Sequence, residues 1–200
     1  MKYILITLIA FMFYGIELNA NNTQHTGNIE EPDKLNDPSE QKPLWSRISK
    51  AGLFRVVRSG GIVENPNSST GKILSKPVIE LIKITNRIPL IKDTQMSLQY
   101  RIGNVPDDVY WLDLRRVLKH PKMTLPDGTT TTGSDYMIKG KASVGQVVAY
   151  TGYSLNEDYE MLEGDWTFQI WHENNMLIEQ TFTTYWPDEA EKKSFDDLSR

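Results

Sequence analysis

From residue 50 to about residue 187 the apolar positions come in short runs whose period is two, the repeat of a pleated strand and not of a helix. "MSLQYRI" (96–102) is the cleanest case, with Met96, Leu98, Tyr100 and Ile102 on one face and Ser97, Gln99 and Arg101 on the other. "VYWLDLRRVL" (109–118) aligns Tyr110, Leu112, Leu114 and Leu118, but Arg116 interrupts that apolar face. "VIELIKIT" (78–85) is apolar on both faces, the pattern of a central strand. "GLFRVV" (52–57), "DYMIKG" (135–140) and "QVVAYTGY" (146–153) add further strands. Between them stand Gly60-Gly61, "NPNSSTG", "GNVPDD" and "LPDGTTTTGSD", all rich in turn-forming residues. Many short strands with this punctuation, and no amphipathic helix, predict an all-β fold. The expected architecture is an immunoglobulin-like antiparallel β-sandwich of about seven to nine strands.

The run "GDWTFQIWHENNMLIEQTF" (164–182) predicts the last hairpin. Register follows from the apolar pattern, because a one-residue slip turns every side chain to the opposite face. A three-residue loop, Glu173-Asn174-Asn175, sets Trp166 against Phe182, Ile170 against Ile178 and His172 against Met176, with Phe168 against Gln180 as the one compromise. Asn175 is then expected in the left-handed conformation, which asparagine tolerates. Trp166, Phe168, Ile170, Ile178 and Phe182 belong to the core on this reading. The opposite face carries Trp171 beside Leu177, an apolar pair on an otherwise polar surface. With Tyr185 and Trp186 at the strand end, these residues form the candidate binding patch.

The stretches "AGLFRVV", "TNRIPL", "LQYRI" and "YEMLEGDWTFQIWHENNMLIEQTF" resemble a bacterial family, domain of unknown function 3859, over roughly residues 50–185. "EGDWTFQIW" and "LIEQTF" are the most specific pieces. The resemblance implies an exported bacterial domain of this size and supplies no catalytic residue. The phrase "LEGDWTFQI" is also similar to late strands of immunoglobulin-like bacterial modules, an analogy of fold and not of function.

The ends of the chain read differently. "MKYILITLIAFMFYGIELNA" (1–20) has a basic start, a short apolar stretch and a small residue at its end, the pattern of a secretory signal peptide; an uncleaved N-terminal anchor is the alternative. Residues 21–45 are polar and acidic without apolar period, which predicts a disordered linker. The sandwich is expected over 46–187, and 188–200 is a polar tail with the makings of a short frayed helix. Export places the protein in the periplasm or outside the cell, with no stable membrane insertion after cleavage. The 200 residues contain no cysteine, so the domain has to stand on its core without disulfides. The net charge of −4 is concentrated in acidic ends around a near-neutral body, which speaks against nucleic acid as a partner.

Chemistry is sparse. The three histidines, His25, His120 and His172, have no metal-ligand spacing and read as surface residues near turns, so no metal and no cofactor are expected. There is no nucleophile elbow, and "TGK" (70–72) lacks the glycine and hydroxyl of a phosphate loop. The carboxylates Asp107, Asp108, Glu157, Asp158 and Glu160 stand beside turns, where solvation is the rule, so no catalytic residue is named. "RRVLKHPK" (115–122) reads as charged protection of an exposed strand edge. "DGTTTTGSDY" reads as a long hairpin loop, with hydroxyls suited to sugars. These features favour a non-enzymatic binding module for a protein or glycan of the cell envelope. The alternatives are a hydrolase with a dispersed site and a purely structural envelope component.

Overall fold

The computed structural model describes residues 42–75 and 78–198. The expected signal peptide, and the linker up to residue 41, lie outside the described residues. Eleven strands form: β1 (Trp45–Arg58), β2 (Ile62–Glu64), β3 (Lys72–Leu74), β4 (Val78–Ile84), β5 (Arg87–Pro89), β6 (Thr94–Gly103), β7 (Trp111–Thr124), β8 (Thr130–Ser143), β9 (Gln146–Leu155), β10 (Gly164–His172) and β11 (Asn175–Tyr185). A helix, α1 (Glu189–Leu198), closes the chain, and Asp158–Glu160 form one 3-10 turn. No helix among the described residues is long and apolar enough to cross a membrane.

Nine strands join in the order β4-β1-β6-β9-β8-β7-β10-β11-β5, and β2 with β3 forms a separate hairpin. The nine-stranded order is two layers. β9 and β8 pair only beside their connecting turn, through Ala142–Val147 and Ser143–Gln146. Beyond that point β9 runs with β6 and β8 runs with β7. The chain thus folds over there, and the two sheets share one core of Met96, Leu98, Tyr100 and Ile102 from β6 with Leu112, Leu114 and Leu118 from β7 and Trp166, Phe168, Ile170, Ile178 and Phe182 from β10 and β11. This is the antiparallel β-sandwich that the period of two implies. Alternation works because every second side chain of β6 and β7 meets the other sheet.

Several elements depart from expectation. β4 is an edge strand, paired only to β1 and mostly exposed, not central. Its two-sided apolar pattern therefore leaves Val78 and Ile84 in solvent. β1 starts at Trp45, well before residue 52, because Trp45–Ile48 pair with Gly103–Tyr100 of β6. The threonine run is strand, not loop: the β7–β8 turn is confined to 125–129, where Leu125 and Thr129 close a backbone hydrogen bond of 2.8 Å. β7 lies between β8 and β10, so the basic run 115–122 guards no edge. The polar tail is a docked helix: Asp188 accepts the Glu191 amide at 2.8 Å, and Phe195 packs against the core.

The β10–β11 hairpin keeps the expected core pairs Trp166–Phe182, Phe168–Gln180 and Ile170–Ile178. Its tip differs. A bulge after Ile170 brings Trp171 opposite Met176 and His172 opposite Asn175, leaving a two-residue turn. The left-handed residue is Glu173, at φ 51°, and not Asn175. Leu177, the extra residue, is held where Ser46 of β1 donates a hydrogen bond to its carbonyl.

Candidate functional site

Where β8 and β9 part, the sandwich opens into a cleft of about 400 Å³. Its interior is built by every second residue of the diverging strands: Ser134, Tyr136 and Ile138 from β8, and Thr151 and Tyr153 from β9. Arg116 of β7 and Gln95 of β6 line it as well, and Tyr150 stands half-exposed among the lining residues. The 3-10 turn contributes Glu157, Tyr159 and Glu160, and the β2–β3 hairpin contributes Ile62, Ser69 and Lys72 among others.

Arg116, the residue that broke the apolar period of β7, is 8% exposed. Its Nε–H donates to Thr151 Oγ1 at 2.8 Å, Nη1 to Ser134 Oγ at 3.2 Å and Nη2 to the Gly152 carbonyl at 3.2 Å. The Tyr136 phenol oxygen takes a further bond, and the guanidinium carbon lies 5.4 Å from the Tyr136 ring centre and 5.6 Å from that of Phe168. All of these partners are neutral. Arg116 enters none of the ion pairs among the described residues. Burial lowers its pKa from the ordinary value, yet a guanidinium remains charged at any physiological pH. The nearby Tyr100 hydroxyl, pushed by burial up to about 12, brings no negative charge.

Close backbone packing supports this arrangement. A Cβ on Gly152 would stand 2.6 Å from both the Met96 carbonyl and Gln95 Nε2, so only glycine lets β9 seat its carbonyl under the guanidinium. At the far side Glu160 is buried, with both oxygens engaged. Tyr153 Oη donates to Oε1 at 2.9 Å, while the amides of Asn156 and Glu157 donate to Oε2 at 2.7 and 2.9 Å. Desolvation raises the Glu160 pKa despite these bonds, and burial with the Glu160 charge raises that of Tyr153. Ser69 Oγ, in the hairpin loop, is buried and has no hydrogen-bond partner among the described residues.

The residues expected to form a binding patch are spread out. Trp171 is half-buried, its indole N–H donating to Gln169 Oε1 at 3.1 Å. Leu177 packs towards the core. Tyr185 and Trp186 lie at the other end of β11, eight or nine residues from Leu177, which in a strand is about 26–30 Å. There Tyr185 hydrogen-bonds Glu191 at 3.0 Å and stacks under Arg87 at 4.6 Å, while Trp186 is exposed. The exposed apolar side chains near the hairpin tip are instead Trp111 and Met137, along β7 and β8, which with Met176 border a groove of about 970 Å³. His120 is not a surface residue: it is 7% exposed and stacks on Trp166 at 4.9 Å. Its Nδ1 contacts the Pro121 carbonyl at 2.7 Å, and burial lowers its pKa. His172 meets the Asp113 carbonyl through Nδ1 at 2.9 Å. Among the described residues no cluster of histidine, aspartate and glutamate suits a metal.

The family model described as "Domain of unknown function (DUF3859)" matches residues 50–184, more than half of the chain. The chain belongs to the DUF3859 family. The matched residues contain the three strands, β7, β8 and β9, and the 3-10 turn that supply Arg116, its hydrogen-bond partners and Glu160 to the cleft of this DUF3859 domain, and they end within β11. The chain is similar in structure to an immunoglobulin-like protein from Pseudomonas aeruginosa, at 17% identity and a TM-score of 0.49, over 73% of this chain and 99% of that one. No curated protein matches the sequence.

Proposed function

We propose that this protein is a non-enzymatic binding module of the bacterial envelope, and that its ligand enters the cleft between β8 and β9. One observation carries the reading: four tyrosines, Tyr136, Tyr150, Tyr153 and Tyr159, surround a set of fixed polar groups in a cavity of about 400 Å³. Cavities of roughly 300–1,000 Å³ with apolar walls and a few placed polar groups are the usual form of small-ligand sites. Tyrosine faces with Ser134, Thr151, Gln95 and Ser69 beside them suit a hydroxylated ligand, a sugar unit of an envelope glycan, better than an extended protein surface. The signal-like residues 1–20 support an exported protein, periplasmic or extracellular.

Binding is favoured over catalysis by the state of Glu160. A glycoside hydrolase ordinarily needs a free carboxyl of raised pKa facing a second carboxylate. Glu160 has the raised pKa and Glu157 lines the same cleft, but both Glu160 oxygens are occupied in holding the 3-10 turn and Tyr153. The test is a titration of the full chain with soluble cell-wall and capsular oligosaccharides, read by NMR at the tyrosine rings. Tyr136 and Tyr150 should shift, and the double substitution Tyr136→Ala, Tyr150→Ala should abolish binding. Binding that survives this change and is lost in Trp171→Ala would move the site to the hairpin tip.

A further inference from the structure

We infer that the ligand of this cleft carries an anionic group, a carboxylate or a phosphate, which pairs with Arg116. The inference rests on the cleft being the binding site and adds the charge of what it takes. A buried cation without a counter-charge is costly, since water's solvation is lost and neutral oxygens replace it only in part. Proteins ordinarily pair such a group. Here the chain places acids elsewhere: Arg115, the adjacent residue, faces the outside of the sheet and is paired with Asp135. Arg116 faces inward, and among the described residues its hydrogen-bond partners are the neutral oxygens of Thr151, Ser134, Gly152 and Tyr136.

The geometry leaves room for an incoming anion. The tightest bond, Nε–H to Thr151 at 2.8 Å, fixes the plane of the guanidinium against β9. The two terminal nitrogens make longer contacts, at 3.2 Å, with Ser134 and Gly152. They are the pair that grips a carboxylate or phosphate in a two-pronged bond, and such charge-assisted bonds are shorter and stronger than neutral ones. Ser69 Oγ supplies the second, independent sign: a buried hydroxyl, its residue only 8% exposed, lines the same cleft without a partner among the described residues. Lys72 also lines it and adds positive charge. The two acids present do not satisfy Arg116, for Glu160 is held by Tyr153 and two amides and Glu157 is exposed.

The experiment titrates three probes sharing one ring, galactose, galacturonate and galactose 6-phosphate, into the full chain labelled at arginine nitrogen. The Arg116 Nε–H resonance, the tyrosine rings and the melting temperature are followed together. The expected result is that at least one charged sugar moves Arg116 and binds about tenfold or more tighter than galactose. Whether galacturonate or galactose 6-phosphate does so identifies the carboxylate or the phosphate. Arg116→Met should remove that preference, so that the charged sugars bind no tighter than galactose. Arg116→Lys, which keeps the charge and loses the fork, should reduce the preference without abolishing it, and serves if the methionine variant does not fold. Equal affinity for all three sugars, or a preference that persists in Arg116→Met, overturns the anion while leaving the cleft as a sugar site. No shift at Arg116 or at the tyrosines with any probe removes both readings.

Discussion

The two faces of the β8–β7–β10–β11 sheet solve the same problem in opposite ways. On the outer face polar side chains find partners sideways across the strands: Arg115 with Asp135, Lys139 with Asp113 at 2.9 Å, Gln169 with Glu179 at 2.7 Å and Thr167 with Thr181 at 2.8 Å. On the inner face, a single step along β7, Arg116 is deeper and more costly to hold, and yet it enters no ion pair among the described residues. The difference teaches that an unbalanced group inside a cleft is a stronger sign of function than a crowd of aromatic residues on the surface. Surface apolar groups are common in monomeric proteins. Buried cations paired only with neutral oxygens are not.

Substitutions that break or sharpen this contrast differ in expected size. Trp166→Ala removes a fully buried side chain shared by both sheets and should cost about 3–5 kcal/mol in denaturant unfolding; the cleft cannot outlast it. A melt unchanged by Trp166→Ala would mean that the layers do not depend on their common core. The cleft's own acid gives a pH effect. Burial raises Glu160, so the folded state holds its proton more firmly than the unfolded chain does. Its contribution to stability is fully present below the ordinary value of 4.5 and is lost as pH rises through the raised value. Glu160→Gln should flatten that part of the stability profile, and a profile identical to the native one would contradict the burial argument.

His120 acts with the opposite sign. Its pKa is lowered by burial, so stability is present above 6.5 and is lost as pH falls through the depressed value. His120→Phe, which keeps a ring against Trp166, should remove this acid loss in thermal melts between neutral pH and pH about 5. Next in size is Arg116→Met, expected to change unfolding free energy by no more than about 1–2 kcal/mol in the free protein, because an apolar residue of similar length replaces a badly compensated charge. A cost of 3–5 kcal/mol, the range found when a well-paired buried charge is broken, would make Arg116 a structural bolt between β7 and β9. Smallest of all, Arg115→Met should leave the melting temperature within error, since its ion pair is solvated.

How much of this was legible along the chain depended on whether the deciding contacts were near or far. The hairpin core pairs were readable because large apolar residues occur at every second position of β10 from Trp166 to Ile170 and, Gln180 excepted, of β11 from Met176 to Phe182. The bulge at Leu177 was not, because Ser46, more than a hundred residues earlier, donates to its carbonyl. β4 looked central because both its faces are apolar, and only the sheet order shows that a single neighbour covers it. The threonine run looked like a loop because its hydroxyls fit turns, yet it pairs with β7 from Thr130 onward. The cleft was the least readable feature: Gln95, Arg116, Ser134, Thr151 and Glu160 come from four strands and a turn, with Ser69 from a sixth region. One local sign existed. Arg116 stands where β7's alternation demands an apolar side chain, and that exception marks the site.

The short strand β5 sets the order in which this protein can finish folding. Although β4 and β5 are separated by only two residues, they occupy opposite ends of the nine-stranded order, and β5 lies parallel to β11 through Arg87–Thr183 and Pro89–Tyr185. A chain emerging N-terminus first can pair β4 with β1 early, but Arg87–Pro89 have to wait for about a hundred further residues. Closure is therefore a late, long-range event, and a chain cut short before residue 183 would leave β5 as an unpaired edge open to association with other chains.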